Sequence, residues 1–230
     1  MTVLITGANR GLGLALTREL VHRGHTVWGT CRYPGNADAL AELKIQAGAR
    51  VRVVALDVTS SQSIQALSTA FSGPLDLLVN NAGVFPGEAN DPFAEVPPEA
   101  FQEAFSTNVL GAIEVTRALL PSLQKGVSPT VINVSSAAGS LTRPMDRPAF
   151  AYSVSKTALN KWTQCLAREW AGLGIRVVAM SPGWVQTEMG GAQAPDTPEL
   201  AAREFVSTLE TLRPEHHGTF LGRNGQPYPW

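Results

Sequence analysis

The chain has 230 residues, 44% hydrophobic and 16% charged, with 21 glycines and a net charge of −1. Such a length and composition suit one α/β domain with a full core and exclude a disordered chain. The near-zero charge leaves no electrostatic footprint for nucleic acid, and no uninterrupted apolar run reaches the length of a membrane span.

The apolar run 3–5 stops at a glycine-rich turn. Leu12, Leu16 and Leu20 then recur with helical period, and Gly24 ends that helix. Residues 26–30 read as a second strand, 38–47 as a short helix, 50–56 as a β-branched strand and 60–71 as a helix. A fourth strand is expected at 75–79. A Pro-rich stretch, 86–98, leads to helices at 100–107 and 109–123. Strands at 130–134 and 175–180 flank a long helix, 152–170. Residues 182–198 read as loop, 199–212 as a helix and 219–221 as a last short strand. Strand and helix alternate throughout, which predicts a parallel sheet covered on both faces. Right-handed crossovers make it a Rossmann-type doubly wound sheet of seven strands in the order 3-2-1-4-5-6-7, one domain over 1–230. Residues 1–6 enter a strand at once, so a secretory leader is not expected. Cys31 and Cys165 lie far apart, which fits a reduced, cytoplasmic setting better than a disulfide. No Cys/His cluster has metal-ligand spacing, and His216-His217 reads as surface or core filler.

Two motifs carry chemistry. Thr6-Gly7-Ala8-Asn9-Arg10-Gly11-Leu12-Gly13 sits between the first strand and the first helix. Glycines there let the backbone approach a pyrophosphate whose charge the helix N-terminus favours. An ordinary βα turn is the plain alternative, and the spacing departs from the dinucleotide fingerprint Gly-x-Gly-x-x-Gly. In Tyr152-Ser-Val-Ser-Lys156, residues four apart share one helix face. A free phenol titrates near ~10, and a neighbouring ammonium favours the phenolate. The pair is therefore an acid/base device for a hydroxyl or carbonyl proton. A packed Tyr with a solvated Lys is the plain alternative.

These motifs, taken with Asn80-Asn81-Ala82-Gly83 after the fourth strand and Pro182-Gly183 after the sixth, resemble the classical short-chain dehydrogenase/reductases over essentially the whole chain. The family pattern is Thr-Gly-x-x-x-Gly-x-Gly, and its catalytic tetrad matches Asn108, Ser136, Tyr152 and Lys156. The short loop after Pro182 and the tail Gly225-Gln-Pro-Tyr-Pro-Trp230 further resemble the C-factor-like subgroup. In many members the serine lies 13 residues before the tyrosine; here that place is Gly139, which points to three extra residues within 141–150. The resemblance favours Ser136, with Ser135 as the rival. Strand alternation sends the two to opposite faces.

The resemblance implies NADP(H) or NAD(H) bound along the strand ends. Gly7, Asn9, Gly11, Leu12 and Gly13 would cradle the phosphates. Asp57 and Val58 would take the adenine, Asn80, Ala82 and Gly83 the middle of the cofactor. Tyr152 and Lys156 would meet the nicotinamide ribose, and Pro182, Gly183, Val185 and Thr187 its far end. A carboxylate for the ribose 2′-hydroxyl is missing, because Cys31 stands at its place. Arg32 and Arg10 can instead embrace a 2′-phosphate, so NADP(H) is expected over NAD(H). In the implied reduction of a carbonyl or the reverse oxidation of an alcohol, Tyr152 gives the proton and Ser136 holds the oxygen. Lys156 lowers the Tyr152 pKa, and Asn108 holds a relay water. Val84, Phe85, Ala138, Leu141, Phe150, Trp184 and Met189 would line an apolar pocket, with Arg143 or Arg147 available to a substrate carboxylate. A dimer or tetramer is expected through the helix carrying Leu159, Trp162, Leu166 and Trp170 and its neighbour at 109–123. The competing classes are a non-catalytic NADP-binding regulator on the same fold and a lyase, epimerase or dehydratase, which would need a larger C-terminal region.

Overall fold

The strands are near-continuous apolar runs because both of their faces are covered. A computed structural model describes residues 1–143 and 148–230. Seven parallel strands form one sheet: β1 (Thr2–Ile5), β2 (Thr26–Cys31), β3 (Val51–Ala55), β4 (Leu77–Asn80), β5 (Thr130–Val134), β6 (Arg176–Ser181) and β7 (Phe220–Gly222). Their order is β3-β2-β1-β4-β5-β6-β7, as expected from the sequence. The direction of the strand order reverses between β1 and β4, the place where doubly wound sheets open a crevice at their carboxyl ends.

Alternation along each strand sorts the core into two clusters. Val3, Ile5, Leu77, Val79, Val178 and Met180 face α1 (Gly11–His22), α2 (Asp38–Ala47) and α7 (Pro198–Glu210), where Leu16, Leu20, Leu40 and Phe205 meet them. Leu4, Leu78, Val131 and Val177 point the other way, against α3 (Ser61–Ala70), α5 (Gly111–Leu123) and α6 (Phe150–Trp170). Each fully buried Leu or Phe contributes about 1.5–3 kcal/mol, so this sorting fixes strand register firmly.

Three expectations are corrected. The helix α4 (Pro98–Phe105) does not stop before α5: a π turn, Ser106–Leu110, joins them, with Asn108 inside it. Helix α6 begins two residues early, at Phe150. On α6, Leu159, Leu166 and Trp170 are buried inside the chain, so its apolar stripe is used in the monomer core. The apolar side chains that α4, the π turn and α6 leave exposed are Phe105, Leu110 and Val154. Arg147 lies outside the described residues, as does part of the expected insertion in 141–150.

Candidate active site

The glycine loop is held by its neighbours rather than by its own side chains. Gly7 has φ +66°, and a Cβ on Gly13 would stand 2.1 Å from the Gly7 carbonyl, so the turn closes only with glycine there. The Asn81 amide donates to the carbonyls of Thr6 (2.8 Å) and Gly7 (3.0 Å), and the Thr6 hydroxyl accepts from the main chain of Asn81 and Ala82. Arg10 sits in the N-cap position with extended backbone, makes no side-chain cap, and no acid occupies the first turn of α1. The first N–H groups of that helix, beside a loop stripped of side chains, suit a pyrophosphate.

At the ends of β2 and β3, Cys31 is buried with a free thiol and Arg32 is exposed. Asp57 accepts from the Thr59 hydroxyl and amide; these bonds, with the charge of Arg32, hold its carboxyl below the ordinary range. Val58 packs where a side chain on Gly111 would collide with it. Arg10 is exposed but ion-paired with Glu188, from the loop after β6. The Asn80 side-chain amide turns into the core and donates to Thr116 and Asn133 at 2.9 Å each.

The chemical end lies where β5 meets α6. Ser135 points inward and donates to Asn160 at 2.6 Å. Ser136 points the other way, caps the short turn Ala137–Gly139 and brings its hydroxyl near enough to the Tyr152 phenol to act on its titration. Gly139 is there because a Cβ would lie 2.9 Å from the Lys156 main chain. Burial pushes the Tyr152 phenol up, and the Ser136 hydroxyl draws it back. Lys156 is buried; its ammonium donates to the Val134 carbonyl at 2.9 Å and lies 5.6 Å from the Tyr152 ring centroid. Desolvation lowers its pKa to about 8. The largest influence on the Tyr152 phenol in this geometry is its burial, which raises it, while the Lys156 ammonium is hydrogen-bonded to the Val134 carbonyl. The Asn108 side chain bonds both main-chain groups of Val84 and donates to the Ser155 hydroxyl, so both of its amide hydrogens are used within the chain.

Pro182-Gly183 follows β6, and Arg223 locks it: the guanidinium donates to the Pro182 carbonyl, Asp196 and Glu204. Val185 is buried and bridges to Asp196, and Thr187 reaches over Gly11. Of the expected pocket wall, Phe85 packs on Tyr152 with ring centroids 4.8 Å apart, Ala138 is buried, and Val84 and Phe150 are half-buried. Leu141, Trp184 and Met189 are largely exposed and form no closed wall. Arg143 is committed to Tyr228, stacking over its ring and donating to its hydroxyl, so it is not waiting for a substrate carboxylate.

A family model described as short chain dehydrogenase matches residues 1–198. The chain belongs to the short chain dehydrogenase family. It is 34% identical over 215 residues to the ketoacyl reductase HetN of a Nostoc species, covering 92% of this chain and 72% of that one. It is 36% identical over 159 residues to the C-signal of Myxococcus xanthus, covering 69% and 95%. Among solved structures, the carbonyl reductase Sniffer of Drosophila melanogaster superposes with a TM-score of 0.94 at 29% identity, over 100% of this chain and 99% of that one. An NADPH-bound carbonyl reductase from chicken fatty liver gives 0.93 at 31%, covering 100% and 98%.

Sequence reasoning missed several residues of this short chain dehydrogenase site. Asn81 ties β4 to the glycine loop, Asn160 and Ser155 brace the Ser136 and Asn108 segments, and Arg223 braces the Pro-Gly turn. Asn81 stood inside a quoted motif, and its amide was the available signal. Arg223 lies 40 residues from the turn it holds, and no local pattern marks it.

Proposed function

We propose that this oxidoreductase is an NADP(H)-dependent carbonyl reductase acting on small carbonyls or the corresponding secondary alcohols, with Tyr152 as proton donor. The observation that carries the reading is the convergence of Ser136, Tyr152 and Lys156 beside a glycine loop that a single Cβ would fill. When bound, the nicotinamide supplies or accepts the hydride. The loop from Gly7 to Gly13 and the N-terminus of α1 hold the phosphates, while Asp57 and Val58 take the adenine. Ala82, Gly83, Gly183, Val185 and Thr187 bound the rest of the groove.

Tyr152 does the proton work. Its raised pKa keeps the phenol protonated at neutral pH, which is the form a carbonyl reduction needs. Ser136 donates to the developing oxyanion and orients the carbonyl. Lys156 places a positive charge behind the phenol; with a pKa near 8 it is charged below that value and assists ionisation when the reaction runs from the alcohol. Arg32 supports 2′-phosphate recognition, and Cys31 offers no carboxylate to oppose it. Arg10 joins Arg32 when its exposed pair with Glu188 opens, a step that costs about 1 kcal/mol or less. NADP-bound and NADPH-bound relatives support the same preference.

The test is a panel of aldehydes and ketones followed by loss of NADPH absorbance. Turnover that requires Tyr152 is expected. Tight NADPH binding with no turnover of any carbonyl or alcohol would replace this reading with the regulator. Phe105, Leu110 and Val154 further support a homodimer or homotetramer through α4, the π turn and α6; sedimentation showing only monomer at micromolar concentration would remove it. Two free thiols suit a reducing cytoplasm, which fractionation would check. Among the described residues no helix is long and apolar enough to cross a membrane.

A further inference from the structure

The tail that follows β7 does not trail into solvent. It turns at Gly222–Gly225 and comes back antiparallel to β7: Gly222 donates to Gln226 at 2.8 Å and Tyr228 donates to Phe220 at 2.7 Å. The rings of Tyr228 and Trp230 both rest on the buried ring of Phe220, with centroids 4.8 Å and 5.5 Å away. Anchored in this way, the Trp230 main-chain oxygen collects four donors from one loop. They are the amides of Leu141 (2.8 Å) and Thr142 (3.3 Å) and the hydroxyls of Ser140 (3.1 Å) and Thr142 (3.4 Å). Arg143 closes the contact on Tyr228.

That loop leaves the turn Ala137–Gly139, which Ser136 caps. Its other side is pinned to α6, where Asn160 and Thr157 donate to the Gly139 carbonyl. Three residues, 137–139, therefore separate Ser136 from the tail contact at Ser140, and they are gripped between a helix and the tail.

Building on the carbonyl reductase reading, we propose that residues 226–230 are a positioning strap for the substrate side of the site. By fixing Ser140–Arg143 through the Trp230 main-chain oxygen, the strap holds the Ser136 hydroxyl toward the Tyr152 phenol and the edge of the substrate entrance in place. The tail touches neither the glycine loop nor α1 in any of these contacts, so it acts on the carbonyl end and not on NADPH.

The variant Trp230→Ala removes the anchor, and Trp230→Phe keeps an aromatic ring on Phe220. Ser140→Ala deletes one donor without disturbing the rings and serves if Trp230→Ala fails to fold. Hydrogen exchange at the Leu141 and Thr142 amides is expected to quicken at least about tenfold in Trp230→Ala and to recover in Trp230→Phe. Tyrosinate absorbance, taken as a difference from Tyr152→Phe, is expected to show the Tyr152 midpoint moving up, because the Ser136 hydroxyl is no longer held toward it. Turnover of carbonyls should fall by about 10- to 100-fold, the scale of a reacting group misplaced by an ångström, with the NADPH dissociation constant unchanged. Unchanged exchange overturns the strap. So does faster exchange that leaves both the Tyr152 midpoint and turnover where they were. If the wild-type protein reduces no carbonyl, the parent reading fails, and the exchange and tyrosinate measurements still decide whether the strap positions Ser136.

Discussion

Ser135 and Ser136 show how a single residue step divides structure from chemistry. Both stand at the end of β5; one bonds Asn160 in the interior and the other reaches Tyr152. The sequence could say only that the two face opposite ways, because period-2 alternation does not tell which face holds the substrate. Burial and partners separate the two, because Ser135 is engaged with Asn160. Tyr152→Phe keeps the ring on Phe85 and deletes the proposed proton donor, so kcat for any accepted carbonyl should fall by about 10²–10⁴-fold with NADPH affinity held. Wild-type turnover in that variant would remove the phenol from the mechanism. The Arg10–Glu188 pair was not legible at all, since 178 residues separate its members. On the NADP(H) reading it would compete with the 2′-phosphate for one guanidinium. Glu188→Gln should therefore tighten NADPH by up to about fivefold, the range of an exposed ion pair, and leave NADH alone. Equal tightening of both cofactors in titration would show that Glu188 acts by some route other than the 2′-phosphate.

At the scale of elements, long periodic segments were legible and junctions were not. The strand order followed from alternation and handedness, which local residues encode. The join of α4 to α5 did not: Asn108 read as a break, whereas a π turn keeps the helix continuous and swings the Asn108 side chain onto Val84 and Ser155. A π turn depends on tertiary bonds to its side chains, which one-dimensional periodicity lacks. Gly139 is a second junction. It stood in the sequence as the family's serine place without a hydroxyl; in the fold it lets the turn after Ser136 lie directly on α6. The methyl group in Gly139→Ala must push that turn off the Lys156 main chain. About 1–3 kcal/mol of stability should be lost, as in overpacked cores, together with carbonyl turnover. A urea midpoint equal to wild type would mean the contact is softer than its distances imply.

On the scale of the whole molecule, the cost of the site is concentrated in one buried cation. Lys156 is the residue the sequence marked most clearly, yet only its surroundings reveal that burial depresses its pKa from 10.5 to about 8. Below pH 8 the ammonium is charged in both the folded and unfolded chain, and the folded chain carries the full desolvation penalty, on the order of 3 kcal/mol. Between pH 8 and 10.5 the unfolded chain binds more protons at this residue than the folded chain, so the penalty is relieved and stability rises with pH. Tyr152 works in the opposite sense above pH 10, where the unfolded phenol ionises before the folded one. The two contributions separate by comparison with Lys156→Met, which retains the stem, removes the charge and leaves the phenol in place. Urea unfolding should find the stability of the wild type, relative to that variant, climbing by about 3 kcal/mol from pH 8 to pH 10.5 and flat below pH 7. Parallel curves across that window would place the ammonium in water rather than in the core. A buried charge that costs stability beside Tyr152 supports the proposed chemical role of Lys156, since perturbed groups of this kind cluster at functional sites.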